Sequence, residues 1–319
     1  MVAVPARPIF RDVIDPNSAV IRQQLIAKLQ QELIPPGSLI TYTANPGHPF
    51  AFIMGQDAPL FEDLLRTVDS KVGYLVLSSP GGDPNAAEKL LIMCRERFTE
   101  QFFVIVPNYA KSAATMVALG SDKIFMGYMA ELGPIDPQLQ ISPVPGPSLP
   151  ARSFIDGLEN IRTKIKKDGD PVQMYLPMLS QIRPEIIAIC QSAIEESRSF
   201  AGKWLKKYML KDNQRQAEQV AEWLSTGEKY KSHGKVIDYQ EAKDVLKLNV
   251  EKIDNNSELW EHIWELYVRS IQQLQMSGGA KLFESEKVSL TMNIEAGPPP
   301  PRERRQPPVP PRQEQPQTA

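Results

Sequence analysis

Short, uninterrupted apolar runs alternate along this chain with stretches whose apolar residues return every three to four positions. The runs GYLVLSS (73–79), FFVIVP (102–107) and KIFMG (123–127) are each bounded by Gly, Pro or Asp. Runs of this length without polar alternation suit strands buried on both faces. Between the first two, residues 84–98 put Ala87, Leu90, Leu91 and Cys94 on one side of a helix, and between the second and third, 112–119 make a shorter one. Strand–helix–strand–helix–strand predicts right-handed crossovers and neighbouring parallel strands. Upstream, SAVIRQQLIAKLQQEL (18–33) has near-helical spacing behind a Ser cap and stops at Pro35-Pro36-Gly37. From residue 153 onward the pattern turns helical, over 154–167, 184–209, 214–224 and 257–275. The last of these carries Trp260, Ile263, Trp264, Tyr267 and Ile271. The class predicted is α/β.

Composition adds boundaries to this pattern. The chain has 319 residues, enough for one large domain with appendages or two modest ones. Its 29 prolines are unevenly placed. Residues 298–319, PPPPRERRQPPVPPRQEQPQTA, have almost nothing apolar to bury and read as a solvated, polyproline-leaning tail. PPVPPR within it has the form of an SH3-type ligand, though most such runs are plain linkers. A second proline-rich stretch, 141–153, reads as a surface loop. With 36 Lys+Arg against 38 Asp+Glu, the net charge of −2 lacks the basic excess of a nucleic-acid binder. Two cysteines, Cys94 and Cys190, are too few for a disulfide scaffold. Together with three scattered histidines they offer no zinc-binding spacing. No run approaches the ~18 uncharged apolar residues of a membrane span. The first residues, MVAVPARPIFRDVID, lack the apolar run of a signal peptide. The expectation is a soluble cytoplasmic protein.

Two segments could carry chemistry, each a strand, a turn and a helix. In LVLSSPGGDPNAAEKL (75–90), Pro80-Gly81-Gly82 ends a buried strand and exposes backbone N–H groups that no side chain obstructs. The following helix adds the positive end of its dipole, which suits a developing oxyanion. A tight turn without a ligand has the same sequence. In the second segment, Ser112 sits just past a strand among Ala110, Ala113 and Ala114 and opens an apolar helix. A serine there is either an N-cap or a nucleophile at a sharp elbow, with the N–H of Ala113 as a further oxyanion donor. The glycine turn on the preceding unit favours the nucleophile.

SSPGGD, then AKSAATMVALGSDKIFMG, then ELGPIDPQ closely resembles the serine dehydrogenase proteinase family, a ClpP/crotonase branch related to signal peptide peptidase A. The resemblance is strongest over 74–139, with a weaker continuation in SHGKVIDYQEAKDVLKLNV (232–250). It implies a ClpP/crotonase-like fold of repeated β-β-α units with a helical C-terminal part. The implied organisation is a helical N-terminal arm (1–44), a peptidase domain (45–276) and a C-terminal extension with the proline-rich tail (277–319). It also implies a serine peptidase with Ser112 as nucleophile and backbone N–H groups of the Gly81–Gly82 turn and Ala113 as oxyanion hole. No metal or organic cofactor is required, and no GxGxxG fingerprint is present. Implied partners are a peptide or protein substrate and further copies of the chain in a homo-oligomer.

The base is the open position. ClpP places a histidine about 25 residues after its serine, where this chain reads LGPIDPQ, with Asp136 near that position and no histidine. His48, His233 and His262 lie far away in sequence; His233 reads as a loop residue and His262 as structural or solvent-facing. Asp136 either positions a partner or bonds backbone N–H groups in its Pro-flanked turn. Relatives of signal peptide peptidase A use a Ser–Lys dyad, and TKIKKDGDP supplies Lys164, Lys166 and Lys167 at a comparable distance. Lys166 and Lys167 fit best, while Lys111, adjacent to Ser112, should point away. The same lysines also read as a solvated helix end. Two rival readings remain. A crotonase-like acyl-CoA enzyme would need acids such as Asp83 or Glu88, and a catalytically inactive scaffold would keep only the fold.

Overall fold

The three apolar runs become adjacent strands because both faces of each find helices to cover them. The computed structural model describes residues 18–140, 148–180 and 183–293. In chain order, α1 (Ser18–Glu32), β1 (Ser38–Ala44), α2 (Asp57–Leu65), β2 (Val72–Ser78), α3 (Pro84–Arg97) and β3 (Gln101–Val106) come first. The short β4 (Tyr109–Ala110), then α4 (Ala113–Leu119), β5 (Lys123–Met126), β6 (Glu131–Leu132), β7 (Gln138–Leu139) and β8 (Leu149–Pro150) follow. Helices α5 (Ala151–Thr163), α6 (Leu176–Leu179), α7 (Pro184–Lys207) and α8 (Gln214–Ser225) precede β9 (Val250–Lys252), α9 (Glu258–Ser277), β10 (Lys281–Glu284) and β11 (Ser289–Met292).

The main sheet runs β11-β10-β1-β2-β3-β5-β9. β1, β2, β3, β5 and β9 are parallel, and β10 joins β1 antiparallel. Alternation sorts the side chains. Tyr42, Leu75, Leu77, Val104 and Val106 face a core with α2, α3, α4, α7 and α8. Leu39, Tyr74, Val76, Phe103 and Ile105 face a second core with α1 and α9. In the second core Tyr74 and Phe103 sit with ring centroids 4.9 Å apart. Fully burying one such side chain contributes roughly 1.5–3 kcal/mol. Helices α2, α3 and α4 all lie on one face because successive right-handed crossovers step the sheet in one direction. The α/β class is as expected from the sequence.

α3 shows how local signals set these units. Asp83 caps it, accepting from Asn85 N at 2.7 Å and Ala86 N at 3.1 Å, with Pro84 in the first turn. Arg95 and Arg97 lie in its last turn, at the negative end of the dipole.

The domain limits read from sequence do not follow the sheet. β1 falls in the expected N-terminal arm and β10–β11 in the expected C-terminal extension, yet all three are strands of the main sheet. Wholly buried ion pairs accompany them. Lys281 donates to Asp57 Oδ1 at 2.5 Å and Arg22 Nε donates to Glu284 Oε1 at 2.8 Å. Asp57 also accepts from the Tyr42 hydroxyl at 2.7 Å and from Met54 N at 3.0 Å. The expected helix over 154–167 is α5 followed by a π-helical turn, Lys164–Asp168, ending at Gly169 in the left-handed region. The proline-rich tail (298–319) and most of the 141–153 loop lie outside the described residues.

Candidate active site

Beyond the carboxyl ends of β2 and β3 a second, short ladder forms. Ser79 pairs with Ala110, Ala110 with Leu132, and Leu132 with Ile237. Each of these four residues stands within four positions of a candidate site residue. The row therefore brings the glycine turn, the serine elbow, the Asp136 segment and the residue 233 loop side by side.

The turn needs its glycines. Gly81 and Gly82 have φ of 101° and 149°. A Cβ on Gly81 would stand 2.6 Å from the Lys111 carbonyl oxygen and 2.7 Å from Ser112 Cβ. One on Gly82 would stand 2.3 Å from the Ile53 carbonyl oxygen. Ile53 locks the turn from outside, its N–H donating to Gly81 O at 2.7 Å and its carbonyl accepting from Asp83 N at 2.9 Å. The N–H of Gly81 is occupied, donating to Ser79 Oγ at 3.2 Å. Those of Gly82 and Ala113 have no acceptor among the described residues. Of the three expected oxyanion donors, these two are free.

Ser112 is a strained elbow. It has φ 50° and ψ −120°, and its side chain makes no capping hydrogen bond. A non-glycine residue held there costs about 1–3 kcal/mol, which surrounding structure must supply. Ala114 N donates to Lys111 O at 2.9 Å and Met116 N to Ser112 O at 3.1 Å. Thr115 Oγ1 donates to Ala110 O at 2.6 Å and accepts from Gly133 N at 3.0 Å, joining the elbow to the strand that leads to Asp136.

Asp136 is 4% exposed. Its Oδ1 lies 2.8 Å from His233 Nδ1, and its Oδ2 accepts from Gln138 Nε2 at 2.8 Å. With the carboxylate as acceptor, Nδ1 carries the imidazole proton and Nε2 is left for another partner. Ser112, Ala113, Gly82, Asp136 and His233 all line one cleft of about 660 Å³. Phe52, Pro80, Met116, Ile135, Pro137 and Leu139 give it apolar walls, and Ala193, Glu196 and Ser197 of α7 close one side.

The remaining candidates lie elsewhere. Lys164, Lys166 and Lys167 sit on the exposed π turn and do not line the cleft. The structure does not bring them together with Ser112 in the cleft, as the expected dyad requires. Lys111 does not line the cleft; its Nζ is 3.1 Å from Glu131 Oε2. His48 Nδ1 accepts from Phe50 N at 3.1 Å within a turn. His262 lies between Glu32, 2.9 Å from Nδ1, and Lys28, 2.8 Å from Nε2. Asp83 is committed to its helix cap. Glu88 accepts from Lys203 Nζ at 2.8 Å and Trp204 Nε1 at 3.0 Å. Partial burial alone would raise its pKa, but these bonds and the lysine charge bring it below the usual carboxylate value. Neither acid lines the cleft that holds Ser112.

Residues 47–278 match the family of ClpP-like SDH-type serine proteinases. The chain belongs to this family. The chain is 29% identical over 228 residues to an uncharacterized protein of Methanocaldococcus jannaschii, covering 70% of this chain and 68% of that one. A second uncharacterized protein of the same organism is 27% identical over 188 residues, covering 59% of this chain and 56% of that one. Two solved structures of the 1510-N membrane-bound stomatin-specific protease align with TM-scores of 0.39. The first, a serine-to-alanine mutant, is 15% identical, covering 63% of this chain and 75% of that one. The second, a lysine-to-alanine mutant with a substrate peptide, is 17% identical and covers 76% and 83%. Among the described residues of this proteinase-family chain, no helix is long and apolar enough to cross a membrane.

Sequence reading took His233 for a loop residue; the structure places it in the cleft against Asp136. It follows no strand–turn–helix signature and stands 97 positions from Asp136. A signal was present in SHGKVID: a histidine and glycine in a polar turn immediately before Ile237, which pairs with Leu132.

Proposed function

We propose that this protein is a serine peptidase with a Ser112–His233–Asp136 triad. Asp136 holds the His233 Nδ1–H and so fixes the tautomer and ring orientation. His233 Nε2 takes the hydroxyl proton as Ser112 Oγ attacks the peptide carbonyl carbon. The resulting oxyanion is held by the N–H groups of Gly82 and Ala113, fixed before the reaction by the Ile53 bridge and the elbow. His233 then gives the proton to the leaving amine, and water, activated by the same imidazole, hydrolyses the acyl-enzyme. The apolar cleft walls favour a peptide side chain of matching character beside the scissile bond.

The observation that carries this reading is the 2.8 Å His233–Asp136 contact in the cleft that also holds the strained Ser112. The test is labelling with a fluorophosphonate that reacts with activated serines. The wild type should be labelled on Ser112, and Ser112→Ala should not be labelled while remaining folded. Equal labelling of both proteins would remove Ser112 as the nucleophile.

A further inference from the structure

The loop that carries His233 is poorly fastened by packing. Tyr230 and Ile237 are buried, but between them no residue is, and Val236 is 49% exposed. Within 231–236, Lys235 N donates to Ser232 O at 3.0 Å, a bond internal to the loop. Among the described residues, two polar contacts tie this stretch to the rest of the protein. One is His233 to Asp136; the other is Lys111 Nζ, which donates to the Lys235 carbonyl at 3.1 Å.

Lys111 is built for that contact. Its side chain is 18% exposed, its Nζ also reaches Leu132 O at 3.3 Å, and Glu131 Oε2 stands 3.1 Å away as counter-charge. The aliphatic stem lies across Gly133, where a Cβ would come within 2.8 Å of Lys111 Cδ. Its backbone belongs to the elbow, since Lys111 N donates to Ser79 O at 3.0 Å and Lys111 O accepts from Ala114 N at 2.9 Å. One residue thus spans the glycine turn, the serine elbow, the Asp136 strand and the histidine loop.

The geometry points to Lys111 as a positioning residue that straps the His233 loop onto the Leu132 strand and so sets the imidazole's reach to Ser112. This rests on the triad proposed above. The strap is charge-assisted and donates to a backbone carbonyl, so side-chain changes within the loop leave it in place. Its removal should cost little fold stability. Leu132 O keeps its bond from Ile237 N at 3.1 Å, and water can serve the carbonyl of the exposed Lys235. Its cost falls on catalysis, where misplacement by about 1 Å can lower the rate ~10²-fold.

The experiment compares Lys111→Met, Lys111→Arg and His233→Gln in the full chain, by peptide kinetics and by amide hydrogen exchange over 231–237. Lys111→Met should lower kcat by ~10–100-fold with KM within ~3-fold, and exchange in the loop should quicken. Lys111→Arg should recover most of kcat and of the protection, because a guanidinium still donates to carbonyls. Arginine cannot act as a base, so the same recovery separates strapping from proton transfer by Lys111. Wild-type kcat and exchange in Lys111→Met, with His233→Gln inactive, would overturn the strap and leave the triad standing. Equal loss in the Met and Arg variants would also overturn it. Full activity in His233→Gln would instead overturn the triad itself.

Discussion

The two halves of the candidate site are built in opposite ways. The nucleophile half, from Ser79 to Leu119, is local: two strand–turn–helix units, with β3 and α4 almost wholly buried and the Gly81–Gly82 turn and Ser112 pressed together. The base half is assembled from a distance. Asp136 hangs from a two-residue strand, and His233 comes from an exposed loop that pairs back through Ile237. Rigidity on one side is supplied by the core; on the other, the core reaches Leu132, Ile135 and Ile237, while the His233 loop is held by a few polar contacts. Damage to the first half should therefore cost both stability and rate, and damage to the second should cost rate alone.

The largest test is on the base half. Asp136→Asn should lower kcat by ~10⁴-fold through loss of the correct imidazole tautomer, with thermal unfolding little changed. Kinetics and a melting curve on one preparation check both parts. On the nucleophile half, Gly82→Ala drives a Cβ against the Ile53 backbone. It should lower kcat by ~10²–10³-fold and also cost ~1–3 kcal/mol in urea unfolding. A rate loss without a stability loss would erase the contrast between the halves.

A smaller effect appears in alkali. Burial pushes the hydroxyls of Tyr74 and Tyr109 up to about 12, and burial with the nearby Glu241 raises Tyr230 as well. Raised folded-state values mean that the unfolded chain loses these protons first. Their stabilising contribution is complete below about pH 10 and drains away as pH rises through about 12. Urea midpoints measured at pH 9 and 11 should fall in that order, with phenolate absorbance tracking the loss. The smallest effect is expected from the exposed π turn, where Lys166→Ala and Lys167→Ala should each leave kcat within ~2-fold of wild type.

The same contrast explains what the sequence disclosed. Gly81, Gly82, Ser112 and Ala113 were legible because a buried strand, a turn and a helix follow one another within a few residues, and each leaves a periodic signature. The parallel β2–β3–β5 core was legible for the same reason. β10 was not, because KLFE carries Lys281 and Glu284, whose charges are wholly buried against Asp57 and Arg22, partners more than two hundred positions away. β1 was missed beside it: SLITYTA carries Thr41 and Thr43, buried polar residues that interrupt an apolar run. His233 was hidden by the distance to Asp136, since nothing local distinguishes a loop histidine that will meet a buried carboxylate from one that will meet water.

The central claim is that His233, and no lysine, takes the proton from Ser112. The direct measurement is steady-state hydrolysis of a peptide substrate by His233→Gln, whose folding is verified by its melting curve. The triad predicts a fall in kcat of ~10⁴-fold or more. Turnover within a few-fold of wild type would contradict it.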